Sequence, residues 1–180
     1  MAYVIGDYSY MPNNVMEPTE VVLKKYDIKH TATATSIEIP GEIMIPNASS
    51  AIFIETVAAD FCKGNELLRS VVFADNIKYI GANAFDGCSG LTSITIPDSV
   101  TSIGSGAFAD CSALTSITIP NNVTKINRWV FIRCTNLTSV TYNGTIEQWE
   151  AITKGTDWKK NVPSTCIVHC IDGDIPINEA

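Results

Sequence analysis

The sequence has no basic cluster. Its Lys/Arg runs never exceed the pairs Lys24-Lys25 and Lys159-Lys160, and the net charge is −7. Nucleic acids and anionic membranes call for clustered positive charge, so neither is expected as a partner. No apolar run approaches the ~20 residues of a membrane helix, so no membrane insertion is expected. Met1-Ala2-Tyr3-Val4-Ile5-Gly6-Asp7 lacks the basic and long apolar segments of a secretory leader, which by itself predicts a chain not exported by that route. Histidine is scarce, with only His30 and His169 far apart in the chain. There is no Gly-x-Ser-x-Gly, no phosphate-binding loop and no His-Glu-x-x-His. The expectation is therefore a non-enzyme with no catalytic residue and no cofactor. Stretches with the length and 3.6-residue period of a regular helix are also missing.

What is present is a ruler. Phe85, Phe108 and Phe131 are spaced by 23 residues, and so are Cys88, Cys111 and Cys134. The same offset aligns Leu91/Leu114/Leu137, Ile94/Ile117/Val140, Ile96/Ile119/Tyr142, Val100/Val123/Ile146 and Ile80/Ile103/Ile126. So many columns on one period define an internal repeat, and such units stack into a solenoid that offers an extended binding surface. The 46% apolar and 17% charged composition is that of a folded chain.

Within a unit, Ile94-Thr95-Ile96 alternates apolar and polar among β-branched residues, the pattern of a short half-buried strand. Pro97 ends it by removing a ladder donor. Gly81 and Ala84 permit a tight return, and Phe85 points inward. One unit buries about eight apolar side chains worth roughly 1.5–3 kcal/mol each, against roughly 1–2 kcal/mol of backbone entropy for every residue ordered. A single unit is thus unstable, and neighbours must share a core.

Upstream, Ile54, Cys62, Leu68, Val71, Phe73 and Ile77 match the columns if about three residues are inserted around Lys63–Leu67. Ile43-Met44-Ile45-Pro46 matches Ile94-Thr95-Ile96-Pro97, again with a short insertion. Ser36-Ile37-Glu38-Ile39-Pro40-Gly41 reads as a strand ending in a turn, a candidate hairpin over the first edge. Val21-Val22-Leu23 is a further candidate strand. Downstream, Thr145 is placed as the N-cap of a helix through Ile152, with Trp149 and Ile152 facing inward and Trp158 nearby. Thr165–Cys170 reads as a last strand that closes the edge. Residues 1–35 are expected to form an N-terminal cap, 36–148 the solenoid and 149–180 a C-terminal cap.

The six cysteines read first as small buried hydrophobes, although coils ~4.8 Å apart also leave ladder disulfides open. Cys166, His169 and Cys170 suggest a metal trio, but strand alternation puts His169 on the opposite face from the two thiols, so no metal is expected. Asp172-Gly173-Asp174 resembles a fragment of a calcium loop, yet Ile175, Pro176 and Ile177 cannot supply the remaining ligands. The sequons at Asn47, Asn122, Asn136 and Asn143 are common by composition in a Thr/Asn-rich repeat, and no modification is assigned to them.

Leu91-Thr92-Ser93-Ile94-Thr95-Ile96-Pro97 followed by Ile103-Gly104-x-x-Ala107-Phe108-x-x-Cys111 resembles the BspA-like class of bacterial leucine-rich repeats, over roughly residues 43–148. The segment from Tyr142-Asn143-Gly144-Thr145 through Trp149 and Trp158 to Val168-His169-Cys170 resembles the closing piece of such proteins. The resemblance implies an α/β leucine-rich-repeat solenoid, right-handed, mostly β with little helix. A parallel sheet would line its concave face, with turns or short 3₁₀ pieces on the convex side. Members are typically surface or secreted proteins of host-associated bacteria and protists, some of them adhesins for host matrix proteins. The expected function is a binding module for a protein or glycan ligand, adhesin-like at a bacterial surface. An intracellular or phage-structural scaffold is the alternative, suggested by the absent leader and the short chain.

Alternation also names the candidate surface. With Ile94 and Ile96 inward, two outward columns form: Ser70, Ser93, Ser116, Ser139, and Val72, Thr95, Thr118, Thr141, with His169 at the end. Hydroxyls at ~4.8 Å spacing make a flat face of donors and acceptors, without the Trp, Tyr or Arg that dominate binding hot spots. Serine and threonine equally suit an exposed parallel sheet without any ligand.

Overall fold

The computed structural model describes residues 3–5, 8–12, 21–23, 35–39, 41–43 and 52–179. In chain order the strands are β1 (Tyr3–Ile5), β2 (Tyr8–Pro12), β3 (Val21–Leu23), β4 (Ser36–Ile39), β5 (Glu42–Ile43), β6 (Ile52–Val57), β7 (Ser70–Phe73) and β8 (Tyr79–Ile80). They continue as β9 (Ser93–Thr95), β10 (Ser102–Ile103), β11 (Ser116–Ile119), β12 (Lys125–Ile126) and β13 (Ser139–Tyr142). Helix α1 (Ile146–Ala151), β14 (Thr153–Lys154), β15 (Ile167–Cys170) and β16 (Gly173–Pro176) follow.

Each repeat coils once around a shared core and gives one strand to each of two ladders. The first ladder is β9, β11, β13 and β15, all parallel, closed by antiparallel β16. The second is β6, β8, β10, β12 and β14, parallel throughout. Its two-residue rungs place Val57, Ile80, Ile103 and Ile126 inward, fully or nearly buried. On the remaining side the turns bond coil to coil: Asn83, Phe85 and Gly87 donate their N–H groups to the carbonyls of Ser105, Ala107 and Ala109 at 2.8–2.9 Å. From the coil of β9 onward, neighbouring coils are thereby tied on all three sides, as a unit too small to fold alone requires.

Inside, Phe85, Phe108 and Phe131 stack nearly parallel, with centroids 5.6 and 6.0 Å apart. Trp158 ends the stack edge-on at 6.1 Å. All six cysteines are free thiols. Those of the repeat are buried and also bonded: Cys88, Cys111 and Cys134 donate S–H to the carbonyls of Cys62, Phe85 and Phe108 at 3.1–3.2 Å. Their column position therefore asks for a small donor as much as for a hydrophobe.

Three expectations for the first coils are corrected. No residues are inserted at Lys63–Leu67: Val57 pairs with Ile80, and Cys62 N–H donates to Ala84 O just as Phe85 N–H donates to Ala107 O. The unbroken period puts Cys62 in the phenylalanine column and Asn65 in the cysteine column. Asn65 is buried, and its Oδ1 accepts from the Leu67 and Leu68 amides at 3.1 Å each. An amide and a thiol both serve a slot that must satisfy backbone groups in the core. Second, Ser36–Ile39 forms no hairpin but adds a parallel rung to Ser70–Phe73. Third, Ile43 joins an antiparallel pair with Ile52 instead of starting a repeat strand; Met44–Pro46 lie outside the described residues. Val21–Leu23 is a strand as expected, pairing with β2 and β6.

The C-terminal end follows the sequence up to β15, but Cys170 does not end the sheet: Gly173–Pro176 returns as an antiparallel strand and forms the edge. Thr145 caps α1 in a reciprocal box with Gln148. Trp149 is fully buried, 5.2 Å from Tyr142 and 6.0 Å from Trp158. Asp172 and Asp174 have structural partners: Asp172 Oδ1 accepts from the Ile146 amide at 2.9 Å, and Asp174 pairs with His169. Thr145→Ala is expected to cost about 1 kcal/mol, read as a shift of the urea unfolding midpoint at unchanged slope.

Candidate functional site

The outward columns of the first ladder are in register. Ser93, Ser116 and Ser139 face one another rung by rung, and Ile167 follows. Beside them run Thr95, Thr118, Thr141 and His169. Thr95 and Thr141 are exposed, while Ser116, Thr118 and Ser139 are half-buried by their neighbours on the face. His169 lies on this face as expected, bonded through Nδ1 to Asp174 at 2.8 Å. Cys166 is buried and Cys170 half-buried, so the three do not converge. Among the described residues no cluster of three or more His, Cys, Asp or Glu is placed to hold a metal ion.

Ser70 and Val72 belong to a separate sheet. They pair with Ser36 and Glu38, but no hydrogen-bonded register joins β7 to β9. The cause lies in the core. The coil carrying β7 has Phe61 where the next three coils have Ala84, Ala107 and Val130, and Phe73 where they have Ile96, Ile119 and Tyr142. Both rings meet Phe85 edge-on, at 6.4 and 5.9 Å, instead of stacking. A groove of about 380 Å³ opens along the seam, lined by Ser70, Val72, Phe73, Ser93, Thr95 and Pro97. Val71 and Phe73 keep 9% and 8% exposure there, against 1% and 0% for their column mates Ile117 and Ile119. Val72, 60% exposed, is the large apolar residue on the rim.

A second feature sits on the turn side, where sequence reasoning placed nothing. Asp60, Asn83, Gly106 and Trp129 occupy one column of left-handed backbone, with φ of 56°, 53°, 64° and 61°. Asp, Asn and Gly tolerate this conformation, but for a tryptophan it costs roughly 1–2 kcal/mol. Trp129 is nonetheless 41% exposed, with the Arg128 guanidinium 4.4 Å from its ring centroid. Gly106, one coil before, has no side chain in a column otherwise filled. The result is a notch of about 300 Å³ between Asn83 and Trp129, floored by Gly106 and Ala109 and flanked by Asp86, Asp110, Ile132 and Arg133. A Cβ on Gly106 would stand 2.5 Å from Asn83 Oδ1, so that oxygen faces the notch. The carboxylates beside it are matched: Arg133 forms a two-point ion pair with Asp110, and Lys63 lies 3.0 Å from Asp86. The Arg133 bond and charge hold the Asp110 carboxyl below its usual range. The readable signal was the column itself, since three left-handed formers in register imply the same backbone at Trp129.

Among the described residues no helix is long and apolar enough to cross a membrane. No curated protein matches the chain. Solved structures show the same fold. A leucine-rich cell surface protein from Faecalibacterium prausnitzii is 22% identical, with a TM-score of 0.64 over 94% of this chain and 50% of that one. The pneumococcal vaccine antigen PcpA is 15% identical, with a TM-score of 0.70 over 96% of this chain and 50% of its own. The chain thus spans about half the length of these two. The T. pallidum leucine-rich repeat protein is 16% identical, with a TM-score of 0.61 and 91% of each chain covered. The sequence profile of the BspA type leucine rich repeat region matches residues 55–153 in six copies. The 23-residue columns, the two parallel ladders and this match over more than half the chain lead to one conclusion: the chain belongs to the BspA-type leucine-rich repeat family.

Proposed function

We propose that the chain is a non-enzymatic recognition module that docks a protein or glycan partner on the hydroxyl face of its first ladder, adhesin-like at a bacterial cell surface. Repeat modules of this family serve interaction, which is the coarse function the family assigns. The observation that carries the finer reading is the in-register run Thr95, Thr118, Thr141, His169 beside Ser93, Ser116, Ser139. It is a flat, regular array of hydroxyls whose centre has no charge. Charge stands around it, as Glu38 on β4, Asp75 in the seam groove and the His169–Asp174 pair. The seam groove beside Thr95 and Val72 adds the concavity and the apolar contact that a flat sheet lacks.

The test is the double variant Thr95→Arg/Thr118→Arg, assayed on immobilised extracellular-matrix proteins and purified surface polysaccharides. Two long cations on adjacent rungs block the face. Thr95 is exposed and Thr118 half-buried but on the outer face, so the fold should hold, checked by the urea midpoint of the double variant. Loss of at least about ten-fold in affinity is expected, and unchanged affinity would retire the hydroxyl face as the docking surface. Protease shaving of intact source cells tests the location: shaveable protein is expected, and protein confined to the cytosol would favour the scaffold role instead.

A further inference from the structure

We infer that the notch at Trp129 is a second ligand site, on the turn side of the solenoid, and that it takes a neutral saccharide. The inference is independent of the hydroxyl face. It starts from a residue in the wrong place: an exposed tryptophan held at φ 61°, in a column whose other members are Asp, Asn and Gly. The core does not ask for it, because Trp129 is 41% exposed while its chain neighbour Val130 fills the interior at 0%. A strained, solvent-facing aromatic that packs no core points to a contact made outside the chain.

The surroundings define the chemistry. One aromatic platform stands beside a cleft of about 300 Å³, the lower end of the range for small-ligand sites. The cleft exists because Gly106 leaves a single side-chain slot empty between Asn83 and Trp129. Across it, Asn83 Oδ1 offers an acceptor, while Asn83 Nδ2 is engaged by Asp60 at 3.2 Å. Asp86 and Asp110 offer further acceptors, and Arg133 offers guanidinium donors.

Charge then separates the ligand classes. Each carboxylate is matched by a cation, Asp110 by Arg133 and Asp86 by Lys63, so neither an anion nor a cation finds an uncompensated partner. The Arg128 guanidinium already lies over one face of the Trp129 ring and supplies the cation contact there, which leaves the other face for a ligand. What remains is an uncharged ligand with an apolar face to lie on indole and a rim of hydroxyls to bond acceptors and donors. A pyranose ring has that shape.

The probes are methyl glycosides of glucose, galactose and N-acetylglucosamine and their β-linked disaccharides, followed by tryptophan fluorescence and saturation-transfer NMR. Of the three tryptophans, Trp149 and Trp158 are 0% and 6% exposed, so a ligand-dependent emission change reports Trp129. At least one probe is expected to shift the emission saturably. Trp129→Gly and Gly106→Asn are each expected to weaken that probe by about ten-fold or more. Trp129→Gly relieves the left-handed strain and should fold normally. Gly106→Asn keeps a residue type that the column already holds at Asn83, and fills the notch by pushing aside the Asn83 side chain, whose Oδ1 would lie 2.5 Å from the new Cβ. Binding retained in Thr95→Arg/Thr118→Arg would separate this site from the hydroxyl face. The inference is overturned if no neutral probe binds, if only sialic acid or lysine oligomers bind, or if Gly106→Asn binds as tightly as the parent.

Discussion

Phe108→Ala is expected to lower the unfolding free energy by about 3–5 kcal/mol, close to the whole stability of a marginal domain. Phe108 is fully buried and is the middle ring of the stack, 5.6 Å from Phe85 and 6.0 Å from Phe131. Its removal deletes two aromatic contacts, each worth about 0.5–1.5 kcal/mol beyond burial. The cavity cannot close, because the coils on either side are held apart at fixed spacing by three sets of backbone bonds. A solenoid is also coupled only through neighbours, so the loss falls on the junction between its halves. Urea unfolding should therefore show a lower midpoint and a shallower, less cooperative transition. A loss below about 1.5 kcal/mol with unchanged slope would contradict the continuous core. Thr95→Ala, on the solvent face, should stay within about 0.5 kcal/mol.

The second large effect is alkaline unfolding. Burial pushes the Cys88 thiol up to about 12, only partly opposed by the Asn65 amide. Cys134 reaches about 12 as well, again mainly through burial, and Cys62 and Cys111 are raised in the same direction by the same cause. Each thiol of the column from Cys88 to Cys134 also gives its proton to a carbonyl, a bond that a thiolate would turn into repulsion. The folded state binds these protons more tightly than the unfolded chain, whose thiols titrate near 9.0. The stability they contribute is complete below about pH 9 and is lost as the pH climbs toward 12. Each thiol removes about 1.4 kcal/mol per pH unit in that window, so the four together remove about 5.6 kcal/mol per pH unit. Cys166, pushed up to about 11, and Cys170 are raised mainly by burial too and add to the loss, while Lys154 and Lys159, lowered mainly by burial, act in the opposite sense. Stability should be flat from pH 7 to 8.5 and collapse between about pH 10 and 11. Cys111→Ala should lose stability at neutral pH yet show a slope shallower by about 1.4 kcal/mol per pH unit above pH 9. A wild-type protein equally stable at pH 8 and 10.5 would overturn the account.

The same column shows why part of the chain was misread. Matching Cys62 to Cys88 by identity required three extra residues, whereas the coil kept its length and changed occupants. Cys62 took the phenylalanine slot, Phe61 took the alanine slot, and Asn65 took the cysteine slot, where its Oδ1 accepts from backbone amides. A column position is defined by the volume and hydrogen bonds it must supply, and several residue types satisfy one slot. In the candidate sites, the outward serines and threonines from β9 to β13 were legible because side chains alternate on a strand. That Ser70 and Val72 sit across a seam was not, since the split follows from how Phe61 and Phe73 meet Phe85. The left-handed Trp129 was hidden for a related reason: its backbone is imposed by the coils above and below, against its own preference.

By itself the sequence determined the repeat, its 23-residue period, the inward columns, the proline strand stops and the Thr145 cap. These depend on residues near one another in the chain or recurring at one interval, and local chemistry is enough to write them. The tertiary structure alone decided the second ladder, the seam between β7 and β9, the placement of Ser36–Ile39 as a rung and the notch beneath Trp129. Each of these arises where one coil lies on another, and stacking sets backbone angles and spacings that no single coil encodes.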